Sequence, residues 1–250
     1  MIKNEIKSVF RAKSRIILAI VIVLLIGIDA FITYMSRPNL NPAYAAFLSR
    51  SGIISTVIIV FAPLYSMYMC ADSYLRDRVN GYGAVIISRV GRKKYLRDKF
   101  VVAFLIPCGL VLTGMILNLF LVMLLFNGGQ DTAGFDMIAA NFQEDFIAFE
   151  YNHPMAAYIM FMILGSVASG FCSVICTAVS FVTGKYPLAY LISFLFWTLL
   201  TAGHVSYLYS PFISYGAFFV IMGVAELGLA VTAAYMAAKY SFLKGKTRIE

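Results

Sequence analysis

The sequence predicts an all-α integral membrane protein with six transmembrane helices, and three observations predict it. Of 250 residues, 61% are apolar or aromatic and 13% are charged, where soluble domains run nearer half apolar and a quarter charged. Mean hydropathy is +0.84. Six stretches reach or approach the ~20 apolar residues that cross a bilayer. They lie at about 16–35, 52–71, 100–126, 155–182, 187–203 and 213–238. If they alternate across the membrane, all but Arg37 and Arg50 of the 20 Lys and Arg fall on one side. That asymmetry puts both termini in the cytoplasm. It also explains the net charge of +8 by topology, not by nucleic-acid binding. The spans absorb most of the chain, leaving one membrane domain over 1–250. Four cysteines are too few for a disulfide scaffold.

Residues 1–15 come first. Ile2, Ile6, Val9 and Phe10 recur at helical spacing, with Lys3, Lys7, Arg11 and Ser14 opposite. This is a basic amphipathic helix, suited to lie on the inner leaflet with its apolar face in lipid. The first span has a basic leader, and Ala43-Tyr44-Ala45 resembles a cleavage site. Its apolar stretch is too long for a signal-peptide core, so it reads as an uncleaved anchor.

The loop 72–99 carries the most information. It alternates acids and bases from Asp72 to Arg78. Gly81 and Gly83 break the chain. Beyond them Tyr82, Val85, Ile86 and Val90 share one face of a short helix. Arg89 and the Arg92-Lys93-Lys94 run mark its end. A loop that only sets topology or touches anionic lipid needs no such structure. These features suit docking to a cytoplasmic protein.

The residues Asp72-Ser73-Tyr74, Gly81, Ser88-Arg89, Lys93-Lys94-Tyr95-Leu96 and Lys99 resemble the small ABC-2-type permeases of Gram-positive bacteria. The resemblance covers the whole chain in architecture and this loop in motif. It is strongest to permeases that export amphipathic or antimicrobial-type peptides, of the phenol-soluble modulin exporter kind. It implies that two permease chains, this one and a second copy or a paralogue, form a path between them. It implies that Arg78, Val79, Tyr82, Val85, Ile86 and Arg89 form a coupling helix seated in a separate cytoplasmic ATPase. ATP and Mg would be held by that ATPase, and no cofactor by this chain. The short connection from Val205 to Phe212, with Pro211, departs from larger relatives that insert re-entrant helices there. Gly245-Lys246-Thr247 is no phosphate loop, because the first glycine would fall at Tyr240.

The outer loop 127–154 carries Asp131, Asp136, Glu144, Asp145 and Glu150 and no Lys or Arg. Phe135, Ile138, Ala139, Phe142, Phe146 and Phe149 follow helical spacing. This predicts an acidic amphipathic helix, acting as a lid or as a vestibule for cationic substrate. His153 and the scattered acids lack metal-ligand spacing. Asp29 and Glu226 lie inside spans. A carboxylate there faces protein or water, so each either lines the path or is a buried structural acid. His204 ends the fifth span as an interfacial polar residue.

The small residues Gly165, Ser166, Ser169, Gly170 and Ser173 allow close helix packing. Cys70, Cys108, Cys172 and Cys176 are small apolar fillers. Pro63, Pro107 and Pro187 bend or begin spans. Two other classes stand beside the exporter: a secondary transporter, and a non-transporting anchor or immunity protein. No repeat favours the first. An intramembrane enzyme would need clustered His, Asp or Glu, which the spans lack.

Overall fold

The computed structural model describes residues 2–49, 52–132, 145–212 and 216–244. Among them the regular structure is helical, apart from one isolated bridge between Leu40 and Asp131. Helix α1 spans Ile2–Arg11 and α2 spans Lys13–Ser36, with Ala12 extended between them. The short α3, Pro42–Ala45, is capped by the Asn41 side chain, which accepts from the Ala43 N–H at 3.0 Å. The segment before α3 is strapped to Asp131 by Asn41 N–H to Asp131 O and Asp131 N–H to Asn39 O, both 2.9 Å. Gly129 permits this approach, since a Cβ there would collide with the Leu40 carbonyl.

The second apolar stretch is not one straight helix. It is α4, Ile53–Val60, then α5, Ala62–Ser66, then a π-helical turn, Met67–Ala71. The two parts bend by 52°. Pro63 explains the bend: it has no N–H to donate, and its ring crowds the carbonyl four residues back. That carbonyl belongs to Ile59. It accepts instead from the Trp197 indole N–H at 2.9 Å. The single tryptophan of the chain is thus fixed in the core by the chain's own break.

Next come α6, Ser73–Val79, α7, Tyr82–Val90, and the long α8, Arg92–Leu125. Pro107 lies within α8 and frees the Ala103 carbonyl. The Cys70 thiol sits 4.0 Å from that oxygen and 3.5 Å from Ser173 Oγ. The rest of the chain forms α9, Asp145–Asn152, α10, Pro154–Thr183, and α11, Tyr186–Ala202. A 3-10 turn, Val205–Tyr209, and α12, Ala217–Lys244, complete it.

Helices α2, α8, α10 and α12 are long and apolar enough to cross a membrane; the bent α4–α5 pair is a fifth when taken as one span. The chain is therefore a membrane-embedded, multi-pass helical protein. α11 is a shorter apolar helix of 17 residues. Each of the six apolar stretches thus coincides with a helix or a bent pair.

α10 is the axle of the bundle, packed on α8, α11 and α12. Its small residues make this possible. A Cβ on Gly170 would lie 2.8 Å from the Phe104 ring, and one on Gly165 2.9 Å from Tyr209. Its buried hydroxyls bond back to their own helix. Ser166 reaches Met162 O at 2.7 Å, Ser169 reaches Gly165 O at 2.9 Å, and Thr177 reaches Ser173 O at 2.8 Å. These three hydroxyls are thereby satisfied within the helix, whereas the Tyr158 hydroxyl, buried on the same helix, makes no hydrogen bond among the described residues. Between α2 and α8, Asn118 donates to Ile26 O at 2.7 Å and accepts from Phe47 N–H at 3.0 Å.

Replacing Trp197 by Phe leaves the Ile59 carbonyl without its donor, and thermal unfolding should show a loss of about 1–3 kcal/mol. In a Pro63→Ala background the loss should shrink, because the helix can again supply an N–H to Ile59. Equal losses in both backgrounds contradict the assignment.

Candidate functional site

The segment from α6 to α8 forms a helical hairpin packed on one side against the bundle. Gly81 ends the first arm at φ 71° and Gly91 ends the second at φ 82°. Both lie in the left-handed region, which glycine enters without steric cost. No residue of α7 is buried. Ile86, Ile87 and Val90 rest against the cluster of Tyr95, Phe100 and Phe181. Val79, Tyr82 and Val85 point away, 73%, 64% and 50% exposed. Arg78 and Arg89 are exposed beside them.

The sequence spacing put Tyr82, Val85, Ile86 and Val90 on one face. The structure divides them: Ile86 and Val90 hold α7 to the bundle, while Tyr82 and Val85 face out. Of the coupling residues, Val79, Tyr82, Val85 and Arg89 are on the free surface, Arg78 is exposed with its guanidinium turned to the end of α10 at Gly184, and Ile86 is against the bundle.

The hairpin is anchored by Lys99. Its ammonium is 1% exposed and lies 2.9 Å from Glu5 Oε1 and 2.7 Å from Asp77 Oδ2. The Tyr95 hydroxyl donates to the same Asp77 oxygen at 2.7 Å. One cation thus joins α1, α6 and α8. Nearby, Arg76 pairs with Asp72 at 3.0 Å. Burial pushes the Asp72 carboxyl up to about 7, opposed by the positive charges of Arg15 and Lys99.

The same contact sets the place of α1. Val9, Ile2 and Ile6 pack on Met69, Cys70, Val102 and Ile106. The face expected in lipid is covered by protein, and Phe10 remains exposed. Once Glu5 is bound to Lys99, the apolar side of α1 is turned onto the bundle.

The two intramembrane acids have separate partners. Glu226 Oε2 accepts from the His204 backbone N–H at 2.9 Å and lies 3.3 Å from its Nδ1. Its side chain is 30% exposed and lines a cavity of about 630 Å³ between the end of α11 and α12. Gly203 admits it, since a Cβ there would lie 2.6 Å from Glu226 Oε1. Asp29 is half-buried on α2 and close enough to Tyr158 to act on it electrostatically. His204, read as an interfacial residue, is instead the partner of Glu226. The intervening chain breaks at Gly203 and continues as a 3-10 turn with Val205, Leu208 and Tyr209 buried.

In the loop 127–154, Glu150 is not solvent-facing. It is 2% exposed, and its carboxylate accepts the Phe212 N–H at 3.2 Å. Burial raises this acid from 4.5 to about 7. Phe212 itself stands at φ 60°, a strained value for a bulky residue that this bond helps to hold. Ile147 is buried, while Phe149 is exposed. Asp145 begins α9. Asp136, Glu144, Phe135, Ile138, Ala139 and Phe142 lie outside the described residues, as do Gly245-Lys246-Thr247.

The chain is 31% identical over 220 residues to a protein of Bacillus subtilis (strain 168) described as uncharacterized protein YybM. The alignment covers 86% of this chain and 87% of that relative. The chain belongs to the YybM family. No family profile and no solved structure matches it.

In this member of the YybM family the structure brings together residues that spacing alone kept apart. Glu5, Asp77, Tyr95 and Lys99 converge, although the sequence reading gave none of them a joint role. The acid–base alternation of loop 72–99 was the available signal. His204 and Glu226 likewise meet across the α11–α12 connection.

Two outcomes follow. A Lys99→Met variant leaves the partly buried Glu5 and Asp77 without their cation, and breaking such a cluster costs up to about 3–5 kcal/mol. Limited proteolysis should then release α1 first; unchanged protection of α1 contradicts the anchoring role. For Glu150, a raised acid favours the fold while protonated. That contribution is full below about 4.5 and is lost as pH rises to about 7. The melting temperature of Glu150→Gln should therefore gain on wild type across that window and stay level above it. A difference independent of pH contradicts the burial.

Proposed function

We propose that the chain is the permease subunit of an ATP-driven exporter of the ABC-2 type. The observation that carries this reading is α7. It is a short helix set off by two positive-φ glycines, with apolar Val79, Tyr82 and Val85 turned outward between Arg78 and Arg89. An exposed apolar patch rimmed by charge suits a protein partner. The partner in this reading is a cytoplasmic ATPase that holds ATP and Mg. Its closure would push on α7, and the Lys99 cluster would pass that push to α1 and α8.

In the same reading the chain crosses the membrane six times, with α4–α5 and α11 completing the set. Both termini are cytoplasmic and the site of action is the bacterial cell membrane. A second copy completes the path, and membrane lipid covers the remaining apolar flanks. The substrate class is amphipathic or antimicrobial-type peptide. This rests on the family resemblance and on the acidic outer loop. Asp29 and Glu226 are the candidate path residues.

One observation favours a second reading, a secondary transporter. The chain breaks at Gly203–His204 directly opposite Glu226, and broken helices beside an intramembrane acid are common in that class.

The experiment is affinity purification from membranes, with ATPase activity as readout. Wild type should retain a phosphate-loop ATPase. A Tyr82→Asp, Val85→Asp double variant should insert normally and lose that partner by about thirtyfold or more in affinity, as for removal of a central anchor. Full retention by the double variant contradicts the coupling role. ATP-independent transport by the chain alone would favour the second reading.

A further inference from the structure

Behind the outward face of α7 lies a cavity of about 450 Å³, walled by α6, α7, the start of α8 and the ends of α10 and α12. Arg78, Arg92 and Lys185 line it. Among the described residues no carboxylate pairs with any of the three. Asp77, on the same wall, is already held by Lys99 and the Tyr95 hydroxyl. The cavity therefore carries surplus positive charge.

The cavity meets the first turn of α7 at Gly81, Gly83 and Ala84, the first residue of α8 at Arg92, and Lys185 directly before α11. The last turns of α6, α10 and α12 border it as well, so helix ends of both signs meet there and the attraction for an anion comes from the three cationic side chains. The Arg78 guanidinium lies against Gly184 at the end of α10, where a Cβ would collide with it. Tyr74 and Arg78 line the same wall of the cavity.

The floor is apolar. Tyr74 stacks on Phe181 at 4.0 Å, and Val182 at its edge is half exposed. The cavity thus pairs a cationic rim with an apolar side. It lies on the side of the membrane that carries nearly all the Lys and Arg, where anionic lipid is concentrated.

We infer that this cavity binds the phosphate of an anionic phospholipid, its headgroup among Arg78, Arg92 and Lys185 and an acyl chain leaving past Val182. The inference needs the chain to sit in a membrane and does not rest on the exporter reading. A bound headgroup joins the first turn of α7 to the α10–α11 junction and so braces the hairpin.

The test uses the full chain purified in mild detergent. Thermal unfolding and native mass spectrometry are run with added phosphatidylglycerol, phosphatidylcholine or inorganic phosphate. Phosphatidylglycerol should raise the melting temperature and remain bound at one per chain; phosphatidylcholine and inorganic phosphate should do neither. An Arg92→Gln, Lys185→Gln double variant should bind it about thirtyfold more weakly, as expected for two lost lipid-facing cations. Ala84→Phe, which fills the cavity without removing charge, should weaken it similarly. Wild-type retention of phosphatidylglycerol in both variants overturns the site. Equal protection by phosphatidylcholine does so too, and equal protection by inorganic phosphate assigns the cavity to a soluble anion and overturns the lipid.

Discussion

A lysine ammonium held almost wholly out of water sets the geometry of this molecule's charged end. Lys99 is tolerable there only because Glu5 and Asp77 both reach it. Desolvating such an ion costs several kcal/mol, which close carboxylates and further hydrogen bonds must offset. The three charged groups come from α1, α6 and the start of α8, and the Tyr95 hydroxyl fixes Asp77 from a turn away. The arrangement is better suited to fixing where helices sit than to raising stability, since a well-packed apolar triad would stabilise as much. It places α1 on the bundle, aims α6, and thereby decides which side of α7 is free.

The same constraint governs the interior. Lipid offers no hydrogen bonds, so each polar atom in a span needs a partner within the protein. Pro63 removes one such partner and Trp197 replaces it; Pro107 removes another and the nearest donor is the Cys70 thiol. Asn118 satisfies backbone groups on two different segments, and Ser166, Ser169 and Thr177 bond back to carbonyls of their own helix. The kinks are therefore fixed features with named compensations, and the small residues of α10 serve packing within one chain.

What the sequence made legible was what is local. Length and apolarity located every long helix. Gly81 marked the start of α7 correctly because a left-handed turn leaves few other choices of residue. The face of α7 was misjudged because Val85, Ile86 and Ile87 are equally apolar, and periodicity alone does not say which side meets the bundle. The bond of Trp197 to Ile59 and the clamp of Asn118 on Ile26 join residues far apart in the chain, and no local pattern encodes them. Glu150 read as a surface acid because nothing in its neighbourhood of sequence announces the Phe212 N–H that buries it. His204 and Glu226 were seen singly for the same reason.

The proposed function rests on the free side of α7 more than on any cavity in the spans. The most direct measurement is photocrosslinking in intact membranes with a benzophenone side chain placed at position 82, where Tyr82 projects from the hairpin. The account predicts an adduct with a phosphate-loop ATPase that disappears when the Lys99 cluster is broken. Adducts with lipid alone, or with no ATPase at any expression level, would contradict it.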